Sequence, residues 1–238
     1  MVGRLHADAR YQTARYQTPA PLNYFAHGCR FLDRPHFLAG TACPDWLSVA
    51  DRGVRLRSKR VSPFVDESGS PRSEFAAGVL RHLADDDWFH STRAFHETTS
   101  ELAKAFRPLG EDDGFRAGFL GHIASELLLD AVLIDRKPSR LDAYYAAMDK
   151  VDVAAIEEFV SQMAPRPAER LPRFIGLFRS VQFLRCYTDP GRLLVRLNQV
   201  LDRVRLPNLP QRATQVLEQG YELVAARTDE LLPAERFG

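Results

Sequence analysis

All seven histidines of this 238-residue chain fall at or before position 122, and two groups of them repeat one spacing. His82 is followed four residues on by Asp86 and four further by His90; His122 is followed by Glu126 and Asp130 at the same interval. Residues four apart lie one above the other on a helix face, so each trio can aim imidazole and carboxylate groups at one point. Helix-borne sets of this kind build carboxylate–histidine metal sites in bundles. Imidazole with carboxylate suits zinc, iron or manganese, and without thiolate the set does not choose among them. The second trio lies in the most apolar stretch of the chain, where ionisable groups must be paired, neutral or metal-bound. The competing reading is a buried salt-bridge and hydrogen-bond cluster joined by Arg81 or Arg116. His27 and Asp45 are weaker: a core histidine and, after Pro44, a helix N-cap account for them equally well. His6, His36 and His96 are assigned to the surface or to positions behind a site.

The elements that must carry these residues are helical. Phe75, Val79, Leu80 and Leu83 form an apolar stripe at helical spacing, with Ser73 as its cap and a continuation through Trp88 and Phe89. After an acidic turn at Gly110–Gly114, an apolar helix is expected from Phe115 to Ile134. Helical periods follow over 139–163, 169–187, 190–204 and 211–231, punctuated by Pro165, Pro167, Pro172, Pro190, Pro207 and Pro210, since proline interrupts a helix interior at a cost. Gly40 and Pro44 predict a bend leading to Asp45, and residues 51–72 read as a long polar loop. Residues 1–21, with ARYQT at 9–13 and again at 14–18, read as a flexible tail ahead of one domain spanning 22–238. No alternating run reads as a strand. The expectation is an all-α single-domain helical bundle of about seven or eight helices.

Composition narrows the function. Lys+Arg 32 against Asp+Glu 31 leaves a net charge of +1, so no global field announces nucleic acid or a membrane surface. Three cysteines without a CxxC pair argue against a disulfide framework or thiolate zinc site and fit a reducing cytoplasm. The apolar stretch Phe119 to Ile134 is interrupted by His122, Glu126 and Asp130, unlike a membrane span. The charged N-terminal residues are unlike a signal peptide.

NYFAH (23–27), GTACPDWL (40–47) and GVLRHLADDDWFH (78–90) resemble the motifs of the acyl carrier protein phosphodiesterase family, related to HD-type metal phosphohydrolases. The resemblance covers about 22–233, and the segments 183–205 and 221–233 are similar to that family's closing helices. It implies His27, Asp45, His82 and Asp86 as metal ligands, with His90 where the family commonly has an acidic residue. GHIASELLLD (121–130) matches a helix with an Asp-His pair, except that Gly121 stands in place of the Asp; Glu126 is the candidate for the missing carboxylate, beside His122. Zinc-dependent phospholipase C-like enzymes are also similar in their helix-borne histidines and acids, but their N-terminal tryptophan ligand has no counterpart here.

The resemblance implies an HD-like fold, one or two divalent ions (manganese, iron or zinc), and hydrolysis of the phosphopantetheine–serine linkage of holo-acyl carrier protein. A metal-activated water would attack phosphorus, with Asp86 or Asp130 orienting it or protonating the leaving group. Arg52, Arg55, Arg57, Lys59 and Arg60 form a basic run, of which Arg55, Arg57, Lys59 and Arg60 are assigned to docking of an acidic carrier protein, against the plainer reading of a solvated loop. The rivals are a phosphoesterase acting on a small molecule and a non-catalytic helical module whose His/Asp cluster is structural.

Overall fold

Side-chain caps and prolines set where the helices begin. Ser70 accepts from Ser73 N, Thr92 from Phe95 N, Asp152 from Ala154 N and Asp189 from Arg192 N, each satisfying an amide the first helical turn leaves open. Pro35, Pro71, Pro138 and Pro190 occupy first positions, where a missing N–H costs nothing. The computed structural model describes residues 23–110 and 116–237.

Thirteen helices make up the described chain: α1 (Tyr24–Gly28), α2 (Pro35–Ala50), α3 (Ser58–Val61), α4 (Pro71–Ser91), α5 (Arg93–Phe106), α6 (Ala117–Arg136), α7 (Pro138–Asp149), α8 (Val153–Met163), α9 (Leu171–Val181), α10 (Pro190–Arg203), α11 (Ala213–Ala226), α12 (Thr228–Leu231) and α13 (Ala234–Phe237). No strand occurs among the described residues, so the fold is all-α. The count exceeds the expected seven or eight because chain breaks divide segments that periodicity alone joins. Residues 139–163 are α7 and α8, separated at 150–152, and the polar segment 51–72 contains α3 and a 3-10 turn at Ser62–Phe64. Ser73 is buried inside α4, bonded to the Asp66 backbone, and Ser70 is the cap. The tail expected at 1–21 and most of the acidic turn lie outside the described residues.

One cluster of buried apolar side chains runs through the helices. α2 packs along α4, α5 along α6, and α11 against α6, while α1 sits between α2 and α6. α6 is long and apolar enough to cross a membrane, but 72% of its most apolar window is buried inside the fold; in this structure it is the core helix.

Pro44 does not bend the chain away. It lies inside α2, which runs on to Ala50. Gly40 marks a contact instead of a turn. A methyl group on Gly78 would overlap the Phe37 carbonyl and stand 3.0 Å from the Gly40 Cα, so α2 and α4 cross with their backbones touching. The C-terminus is tied to α4 through Asp85, whose buried carboxylate meets Arg81 at 2.7 Å, Arg236 at 3.2 Å and Arg30 at 3.6 Å.

Candidate metal centre

The glycine crossing decides what α2 and α4 bring together. Asp45 lies five residues past Gly40 and His82 four past Gly78. Their side chains meet with His82 Nε2 3.7 Å from Asp45 Oδ1. His27 comes from α1, a single turn with little stability of its own. Asp130 of α6 holds that turn in place, accepting from Phe25 N at 2.9 Å and Ala26 N at 2.8 Å. So fixed, the His27 ring lies 4.3 Å from the His82 ring, centre to centre. Ligand atoms of His27, His82 and Asp86 all fall within 4.8 Å of one another.

A second group adjoins the first. Glu126 Oε1 accepts from His90 Nε2 at 2.8 Å and lies 3.1 Å from His122 Nε2, and these three residues also bring ligand atoms within 4.8 Å of each other. Asp86 joins the groups, its Oδ1 standing 3.4 Å from His90 Nδ1. The i, i+4 spacing on α4 and on α6 is therefore what assembles both groups.

Several of these atoms are buried and lack a hydrogen-bond partner: His27 Nε2, His82 Nδ1, both oxygens of Asp45 and Oε2 of Glu126. Unsatisfied buried polar atoms are costly, and all five are of ligand type. Burial pushes the His27 pKa down to about 3, helped by His90, Arg30 and Arg81. Burial also lowers His82, with His27 adding to it. Both imidazoles are thus in the neutral form that coordinates metal. Burial raises Asp45 well above the carboxylate range, reinforced by Asp86, Glu126 and Asp130. It raises Asp86 as well, against the opposing pull of His90. A bound cation reverses this logic, because its charge favours the ionised carboxylates that surround it. The donor set fits a divalent ion.

Six expected ligands, His27, His82, Asp86, His90, His122 and Glu126, thus fall in two adjoining groups, and the seventh, Asp45, stands beside His82 of the first. Asp130, about one turn beyond Glu126, is in neither group: it is fully buried, both its oxygens accept from backbone amides, and it holds α1 in place. Arg81 bonds Asp85, and Arg116 is exposed at the start of α6, so neither turns the cluster into a salt bridge. Asp45 is inside α2 and caps nothing. His96 is exposed, His36 half-buried at the start of α2, and His6 lies outside the described residues.

Gly121 has a steric reason. A Cβ there would overlap the Thr99 carbonyl, with Ala103 N at 2.8 Å, so the α5–α6 approach leaves no room for an aspartate. Glu126, just over one turn later, supplies the carboxylate.

A cavity of about 600 Å³ is lined by Asp45, His82 and Asp86 together with Arg52, Arg55 and Arg57. Val54 and Leu56 are buried and the neighbouring arginines exposed. This alternation is readable in RGVRLR and puts Arg55 and Arg57 on one side, where Arg52 joins them at the cavity. Such a cavity can seat an anionic group against the metal-ligand cluster. The chain matches no family model, no curated protein and no solved structure.

Proposed function

We propose that the protein is a metal-dependent phosphodiester hydrolase that, as its motifs' resemblance to acyl carrier protein phosphodiesterases implies, removes 4′-phosphopantetheine from holo-acyl carrier protein. The observation that carries this reading is the pair of adjoining His/carboxylate groups, rich in orphaned ligand atoms, the first of which opens through His82 and Asp86 on an arginine-lined cavity. His27, Asp45, His82 and Asp86 would hold one divalent ion and His90, His122 and Glu126 another, with manganese, iron and zinc all compatible. When bound, such an ion lowers the pKa of a coordinated water towards neutrality and neutralises charge on phosphoryl oxygens.

The chain's own residues do the rest. Arg55 and Arg57 bind the phosphodiester anion and orient it towards the cluster. Asp86 is half-exposed in the cavity and in contact with His90, so a carboxylate oxygen not used for the ion can orient the attacking water. Buried Asp45 and His82 keep that wall of the cavity fixed. Lys59 and Arg60 are exposed on α3, outside the cavity lining, and supply a basic surface for an acidic carrier. The three cysteines are free and buried, which suits a reducing compartment, and we place the protein in the cytoplasm.

One observation favours a structural cluster instead: Glu126 Oε1 is engaged by His90 and also faces His122. Elemental analysis of purified protein separates the two readings. The hydrolase reading expects stoichiometric metal and, with manganese, iron or zinc, turnover of bis(p-nitrophenyl) phosphate and of holo-carrier protein. Asp45→Ala and His122→Ala should each lose more than the about 10–100-fold that removing an outer partner of a metal ligand costs, with the helical circular dichroism near wild type. Protein that binds no metal and hydrolyses neither substrate is a structural module.

A further inference from the structure

Two buried tyrosines and the half-buried Arg203, all outside the candidate ligand set, share an unmet demand. Arg203, the last residue of α10, has Nε, Nη1 and Nη2 all shielded from water and none of them hydrogen-bonded. The hydroxyls of Tyr24 and Tyr187, residues each 1% exposed, are equally without partners. Tyr24 and Tyr187 both pack on the Phe183 ring, at 5.9 and 6.2 Å between centres, and both phenols, like Arg52, lie within electrostatic reach of the Arg203 guanidinium. Burial, with Arg52 adding to it, pushes the Arg203 pKa down to about 9, so the group is still a cation at neutral pH.

These groups are almost all donors. A guanidinium offers five N–H and no acceptor, and each phenol adds an O–H. Buried charge of this kind is costly unless it meets an acceptor. The complement is a compact group of several acceptor oxygens and negative charge, which a guanidinium grips through two parallel hydrogen bonds. A metal cation or an apolar ligand would leave the donors unmet.

The cluster borders the cavity of the metal-ligand groups. Arg52 and Val204, the residue after Arg203, line that cavity, and Tyr24 lies within electrostatic reach of Asp45. We propose that Arg203, Tyr24 and Tyr187, with Arg52 at the cavity wall, form a binding subsite for a small oxyanion, a phosphate or carboxylate group, separate from the scissile phosphodiester. In a holo-carrier substrate it would be an acidic side chain beside the modified serine, since the pantetheine arm has no second anion. The binding stands without the hydrolase reading; only its assignment to the substrate rests on that reading.

The test uses full-length protein stripped of metal with a chelator and titrated calorimetrically with inorganic phosphate and, separately, with malonate. Wild type should bind at least one of them saturably at a single site, and the tighter of the two tells phosphate from carboxylate. Arg203→Met should weaken that binding by at least about tenfold, as loss of a charge-assisted bidentate contact predicts. Tyr187→Phe, which keeps the core volume, should weaken it several-fold and serves if the arginine variant does not fold. Binding of neither anion by wild type, or equal binding by wild type and both variants, overturns the subsite and leaves these donors to water. Bis(p-nitrophenyl) phosphate has no second anionic group, so Arg203→Met should spare its metal-dependent hydrolysis. Wild type that binds the anion but hydrolyses nothing keeps the subsite and sinks the hydrolase.

Discussion

His90 stands between Asp86 and Glu126, and that position governs how the centre trades protons for metal. Burial alone would lower it, but the Glu126 hydrogen bond and the charges of Asp86 and Glu126 hold its pKa above the usual value. Asp45 and Asp86 are raised as well. All three hold protons to higher pH than they would in water, whereas His27 and His82 are already neutral. An incoming cation must displace those protons, so its affinity should rise as pH rises through the raised His90 and carboxylate pKa values and then level off, with net proton release. Titration calorimetry in two buffers of different ionisation heat measures this; affinity independent of pH would place the metal on other residues. Asp130 is the contrasting case. Asp130→Asn leaves one oxygen for two amides and turns an NH₂ group towards a backbone N–H, a loss of about 1–3 kcal/mol. Urea melts should show that loss, while turnover of the remaining folded protein stays near wild type; the reverse result would restore Asp130 as a proton-transfer group. Single positions were the hardest to read from sequence. In Asp85-Asp86-Asp87 the three carboxylates lie about 100° apart round the helix, since a turn takes 3.6 residues. One meets three arginines, one the metal-ligand groups and one the solvent, and only the i, i+4 partners His82 and His90 single out Asp86.

At the scale of elements, the site depends on two helices touching at Gly40 and Gly78. Nothing in the sequence separates a glycine that turns the chain from one that admits another backbone, so Gly40 beside Pro44 predicted a bend. Pro44 costs α2 one internal hydrogen bond, yet the helix continues because Leu38, Ala39, Ala42, Cys43, Trp46 and Leu47 are all buried around it, and packing outweighs local propensity. The pattern of i, i+4 pairs was legible because it is internal to α4 and to α6. The joining of α2 to α4, and of α1 to Asp130 across 104 and 105 residues, was not, because those partners are distant in sequence. Gly78→Ala tests the crossing. Its methyl meets main chain that cannot swing aside, so overpacking should cost about 1–3 kcal/mol. Because the displacement spreads the two helices that carry Asp45 and His82, metal affinity should fall too, in protein that still folds. A Gly78→Ala protein of unchanged stability and affinity would mean that α2 and α4 can separate without consequence for the site.

The molecule as a whole carries almost no net charge, +1, and its partner preference must therefore come from local arrangement. Arg55 and Arg57 line the cavity with Asp45, His82 and Asp86, whereas Lys59 and Arg60 project from α3 outside it. That division, invisible in a linear basic run, separates two roles the run could serve: holding the reacting anion and receiving an acidic protein. Lys59→Glu with Arg60→Glu probes the second alone. If α3 receives an acidic carrier protein, the double reversal should slow association and cut kcat/KM on holo-carrier at low salt. The deficit should shrink as salt rises, since screening at physiological ionic strength acts over about 8 Å. Bis(p-nitrophenyl) phosphate needs no docking surface, so its turnover should be unchanged by the same reversal. Equal losses on both substrates would mean α3 supports the cavity instead of a partner. An unaltered rate on holo-carrier, with hydrolysis of the small diester intact, would make α3 solvated surface and direct the search to a small-molecule substrate.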